Sequence, residues 1–172
     1  MSHPPHPELS RLVRVGAIGS EGLTVDIAAT PGECALLATR LVVPSVESFK
    51  GQIRLSVEPG GTLAGEGEVD VRLTRECVVS LEPFPTRHRE KFRVRFVPAG
   101  REGESEDPEA EDEIPFDAGQ IDVGEVLVEQ VALGLDPYPR SPGAKLPGAE
   151  EPGATSPFSA LAALRAPPKP PK

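Results

Sequence analysis

The chain has no tryptophan, one tyrosine, one methionine and two cysteines in 172 residues. Each shortage removes a class of mechanism. Cys34 and Cys77 are too few for a disulfide scaffold or a four-ligand zinc site, so both are expected as buried, reduced thiols. Single-strand binders generally stack bases on aromatic side chains, and the scarcity of such residues argues against stacking as a main contribution. No run of about 18 apolar residues is present, so no membrane-spanning helix is expected. The first residues lack the cationic and apolar regions of a secretory signal, which predicts a cytoplasmic protein. His3, His6 and His88 are the only histidines, and none has the sequence context of a catalytic base. With no phosphate-binding loop and no nucleophile elbow, the chain is expected to have no catalytic residues, no cofactor and no metal site.

Proline, by contrast, is plentiful and unevenly placed. Of 21 prolines, three fall in MSHPPHP at the start and ten lie between Pro137 and Pro171. Neither end can be regular helix or central strand. Residues 1–7 read as a tail, 8–135 as one α+β domain, and 136–172 as a Pro-rich tail carrying a short helix near 157–165. Charge is uneven as well. The segment REGESEDPEAEDEIPFD (101–117) carries a net of −8, out of −9 for the whole chain. Residues 99–117 are therefore expected as a solvated acidic loop inserted in the domain. The low isoelectric point describes that loop and does not exclude an anionic partner elsewhere.

Within the domain, SRLVRV (10–15) is expected as a strand preceding a second one, in which Leu23, Val25 and Ile27 share a face. Thr30, Pro31 and Glu33 spell the start of a helix with a capping box, and Pro44 ends it. A strand is expected at QIRLSV. After Pro59-Gly60-Gly61, a long strand places Val69, Val71, Leu73, Cys77, Val79 and Leu81 in one parity. Arg75 falls in the same parity, which predicts a bulge near Arg75-Glu76. EPFPT (82–86) reads as the turn before an antiparallel return. The last helix is expected in QIDVGEVLVEQVALGLDP, with Asp122 as N-cap and Ile121 stapled to Val126. The fold class is α+β: a small twisted antiparallel sheet, or half-barrel, covered by two helices.

The return strand RHREKFRVRF (87–96) bears the most pointed pattern. Residues two apart share a strand face, so Arg87, Arg89, Lys91, Arg93 and Arg95 form one cationic row at steps of about 6.6 Å. Phe92, Val94 and Phe96 turn to the core. Arg72 is expected beside the row on the neighbouring strand, with Arg75 a further candidate. Charges also blunt sheet edges, but a row without interspersed acids repels itself, and a phosphate backbone relieves that cost. Guanidinium groups pair with phosphate oxygens in bidentate fashion, giving salt-sensitive binding with little sequence preference.

The segments GEVDVRLTRECVVSLEPF, IDVGEVLVEQVALGLDPYPR and SPFSALAAL, in this order, resemble the YceD family of large ribosomal RNA subunit accumulation proteins. The resemblance implies a bacterial, cytoplasmic protein that supports synthesis, processing or stability of large-subunit ribosomal RNA without catalysis. Its partners would be that RNA or the pre-ribosomal particle, with neither membrane nor DNA involved. Many relatives carry Cys-x-x-Cys where this chain has Cys77-Val78-Val79-Ser80, so neither a metal pair nor a redox dithiol is available. The competing reading is an adaptor for a ribosomal protein or assembly factor. It would use the acidic helix face (Asp122, Glu125, Glu129) or the tail, through Tyr138, Arg140, Phe158 and Leu161.

Overall fold

Apolar residues at a spacing of two build most of the molecule. The computed structural model describes residues 7–100, 112–117 and 119–145. In chain order these form β1 (Leu12–Arg14), β2 (Leu23–Ala28), α1 (Pro31–Arg40), β3 (Ser45–Val57), β4 (Leu63–Glu76), β5 (Pro83–Pro98), β6 (Asp112–Phe116), β7 (Gln120–Asp122) and α2 (Val123–Gly134). The main sheet is open, with strand order β2-β3-β4-β5-β6. All its pairs are antiparallel except β5–β6, which is parallel. An α+β architecture with two helices over a strand-rich sheet is what the sequence predicts, apart from that parallel edge.

One face of the sheet is apolar. Ile53 and Leu55 of β3, Val69, Val71 and Leu73 of β4, and Phe92, Val94 and Phe96 of β5 are all buried. Helix α2 adds Val123, Val126, Leu127 and Val131 to the same cluster. Full burial of such a side chain contributes roughly 1.5–3 kcal/mol, so this layer is the main favourable term of the fold. Two glycines of β4 make room for the rings opposite. A Cβ on Gly65 would lie 3.0 Å from the Phe96 ring, and one on Gly67 would lie 2.3 Å from that of Phe92.

Local signals set the helix ends as expected. The Glu33 N–H donates to Thr30 Oγ1 at 3.3 Å, and the Glu33 carboxylate accepts the Thr30 N–H at 2.8 Å. At the other end of α1, Arg40 donates to Glu8 at 2.8 Å and to Glu125 at 2.9 Å, tying the N-terminal segment, α1 and α2 together. Asp122 caps α2 by accepting the N–H groups of Gly124 at 3.0 Å and Glu125 at 3.2 Å. It also accepts the Arg11 N–H at 2.7 Å, which joins β1 to the start of the helix.

Several strand expectations need correction. The strand expected at 10–15 is β1, Leu12–Arg14, but its partner is β7, and a 3₁₀ turn at Val15–Ala17 separates it from β2. β3 starts at Ser45, seven residues before QIRLSV. The bulge lies in β3, between Val46 and Ser48, and the β4–β5 ladder runs without a shift from Leu63–Phe96 to Glu76–Pro83. Arg75 therefore stays on the inner face, opposite Phe84. The turn between β4 and β5 is Cys77–Glu82, closed by the Cys77 N–H on the Glu82 carbonyl at 3.0 Å. Pro83 and Pro85 belong to β5, along a stretch where β6 does not reach, since β6 pairs only with Val94–Pro98. Part of the expected acidic loop is thus strand, at Asp112–Phe116. Leu81 ends up 69% exposed, outside the core parity. Cys34 and Cys77 are buried free thiols.

Candidate nucleic-acid interface

On β5 the alternation of charge and apolar residues becomes geometry. Arg87, Arg89, Lys91 and Arg93 are exposed and Arg95 is half-buried, while Phe92, Val94 and Phe96 between them are buried. The cations share the outer face of the sheet, the one that neither α1 nor α2 covers. Arg72 joins them directly opposite Arg87. Arg75 does not, because it lies on the inner face.

The row is not free of acids. Register places Asp70 opposite Arg89, Glu68 opposite Lys91 and Glu66 opposite Arg93. These three carboxylates share the parity of Arg72 in GEGEVDVRL, so the signal lay in the neighbouring strand rather than in the row itself. Asp70 accepts the Arg87 Nε–H at 2.7 Å, a second bond from Arg87 Nη2, and one from Arg89 Nη2 at 2.8 Å. The Arg87 and Arg89 guanidiniums hold its carboxyl well below the ordinary range. Arg93 Nε sits 3.3 Å from Glu66, and Arg95 Nε sits 3.3 Å from Glu58. Lys91 makes no ion pair among the described residues.

Beyond β4 the sign changes again. Lys50 and Arg54 of β3 lie opposite Asp70 and Glu66 on the same outer face, and Asp26 of β2 lies opposite Gln52. The surface is a set of stripes: cations on β5, acids on β4, cations on β3. Along the row itself, the exposed Arg72, Arg87, Arg89, Lys91 and Arg93 face the β4 carboxylates Asp70, Glu68 and Glu66, while the half-buried Arg95 has Glu58 beside it and Glu113 opposite it on β6. The guanidiniums also stay accessible, with side-chain exposure of 63% at Arg89 and 69% at Arg93. Exposed pairs of this kind are weak, about 0–1 kcal/mol as a class, so a phosphate can replace the carboxylate at little cost.

The other candidates fare differently. On the acidic helix face Asp122 is used as a cap and Glu125 is held by Arg40, which leaves Glu129 as the remaining carboxylate. Burial, and then the nearby Glu125 charge, push the Glu129 carboxyl up. Tyr138 is 70% exposed, its N–H bonded to Asp136 at 2.8 Å. Arg140 is exposed at the end of the same segment. Phe158, Leu161 and the helix expected near 157–165 lie outside the described residues, as does the acidic run from 101 to 111. No helix among the described residues is long and apolar enough to cross a membrane.

No curated protein and no solved structure matches the chain. A family model does, under the description "Large ribosomal RNA subunit accumulation protein YceD", over residues 65–165. That span takes in nearly all of β4, both strands that flank the acidic run, and α2. The chain therefore belongs to the YceD family, whose name assigns it a role in accumulation of large-subunit ribosomal RNA.

Proposed function

We propose that this protein supports accumulation of large-subunit ribosomal RNA by holding the RNA backbone against the outer face of its sheet, without catalysis. The contacts are Arg87, Arg89, Lys91, Arg93 and Arg95, with Arg72 beside them. The observation that carries the reading is the excess of exposed cations over the carboxylates that face them, with Asp70 shared between two guanidiniums. Such a surface reads charge and shape, so binding falls steeply with salt and depends little on sequence. Replacing Arg89 and Arg93 together by Glu tests it. In-cell crosslinking followed by sequencing should lose the large-subunit RNA signal in that variant, and a signal equal to that of the wild type would refute the reading.

The adaptor alternative is supported by one observation, the exposure of two large side chains five positions apart, Leu133 (75%) and Tyr138 (70%). Under that reading the Arg89/Arg93 variant crosslinks normally, whereas removing 136–172 abolishes capture of a ribosomal protein or assembly factor.

A further inference from the structure

The inner face of the sheet is apolar only as far as α2 covers it. Beyond Gly134, where the helix ends, the parity that holds Leu73, Phe92 and Phe96 continues with Arg75, Phe84, Thr86 and His88. The segment after the helix is pinned across this region. Arg75 Nη2 donates to the Asp136 carbonyl, and the Val78 N–H donates to the Pro139 carbonyl at 2.9 Å. Between segment and sheet lies a cleft of about 280 Å³, lined among others by Arg75, Phe84, Arg87, His88, Asp136 and Arg140. Pockets for complete small ligands run from roughly 300 to 1,000 Å³, so this cleft takes one group or one nucleotide and not a cofactor.

Its charge is one-sided. Asp136 is the one acid of the lining, and its carboxylate already accepts the Tyr138 N–H. His88 is engaged by Glu90 at 3.0 Å, and the Arg87 guanidinium is turned to Asp70. Among the described residues no carboxylate pairs with Arg75 or Arg140. Two guanidiniums with spare donors beside a half-buried ring call for an anion that carries a flat partner. Arg87 belongs both to this lining and to the outer row, so the cleft continues that row around the part of β5 that β6 does not pair with.

We propose that the cleft receives a single nucleotide of an RNA strand, its phosphoryl group between Arg75 and Arg140 and its base against Phe84. The choice of RNA rests on the proposed function; the need for an anion with an aromatic neighbour does not. The test uses the full chain with a short oligouridylate, and inorganic phosphate in a separate arm. The oligouridylate should shift the amide resonances of Arg75, Phe84 and Arg140. Arg140→Ala should weaken its binding about fivefold and make the salt slope shallower by about 0.7. Phe84→Leu should weaken it about fivefold at an unchanged slope, because stacking carries no counterions.

Wild-type affinity in both variants would overturn the cleft. If the Arg89/Arg93 reversal weakens binding while the cleft variants do not, the cleft fails and the row stands. The opposite result removes the row and supports the cleft. Resonance shifts caused by phosphate alone, which the oligouridylate does not displace, would overturn RNA as the ligand.

Discussion

Asp70 offers the sharpest test of the cationic row, because its removal should improve function. The carboxylate occupies two of the five cations and competes with any phosphate that approaches them. Asp70→Asn keeps the shape and an acceptor oxygen but deletes the charge, so Arg87 and Arg89 stay in place with one more positive charge to satisfy. Counterion release translates that into numbers. One further neutralised phosphate steepens the slope of log K against log salt by about 0.7 on a single strand and about 0.9 on a duplex. At about 0.1 M salt the same factor tightens binding by roughly five- to eightfold. Fluorescence anisotropy of a labelled large-subunit RNA fragment, titrated at four salt concentrations, measures slope and affinity together. Glu129→Gln is the control: the same charge is deleted on a helix covering the opposite face of the sheet, so affinity should change less than about twofold. Unchanged slope and affinity in Asp70→Asn would mean that no phosphate sits on the row. Weaker binding would mean that Asp70 orients the arginines instead of competing for them. Either result refutes the reasoning.

Two further predictions concern the fold that presents this surface. Gly124→Ala improves helix propensity by about 1 kcal/mol. Its Cβ, however, would lie 2.5 Å from the Leu9 carbonyl oxygen and 2.9 Å from the Arg11 nitrogen, both backbone atoms that cannot swing aside. The clash should win by about 1–2 kcal/mol, visible as a lower urea midpoint, and a more stable variant would contradict the packing described. Glu33 is held at about 2, first by the Arg11 guanidinium and then by the Thr30 N–H. Because the folded value is depressed, its contribution is complete above the ordinary carboxylate range and is lost as pH falls through about 2. Glu33→Gln should therefore cost about 1 kcal/mol at pH 6, after allowance for solvent screening, and only a small remainder of that at pH 2. Equal losses at both pH values would rule out the ion pair as the cause.

What could be read from the sequence was local. The capping box at Thr30–Glu33 and the cap at Asp122 involve residues at most three apart, and both appear as expected. The first half of β3 was hidden by its own bulge, which separates the buried Val46 and Phe49 by three residues and breaks the period of two. β6 and β7 are short, and each pairs with a strand far from a tight turn, so neither announces itself by alternation. The cationic row followed from spacing alone, whereas the acids facing it required knowing which strand lies beside it and in what register. Arg75 was recognised as out of place in an apolar parity. A bulge was the wrong remedy, because the core ends before the strand does and an arginine there meets the segment after α2.

The prolines of β5 bear on how such a protein persists in a crowded cell. A sixteen-residue strand that, among the described residues, is paired on its far flank only along Val94–Pro98 would ordinarily template the addition of another copy. Pro83 and Pro85 cannot donate to a newcomer, and a second molecule aligned along the remainder would set arginine against arginine. Among the described residues, the flank of β5 that β6 leaves unpaired is thus one to which a second copy would add poorly.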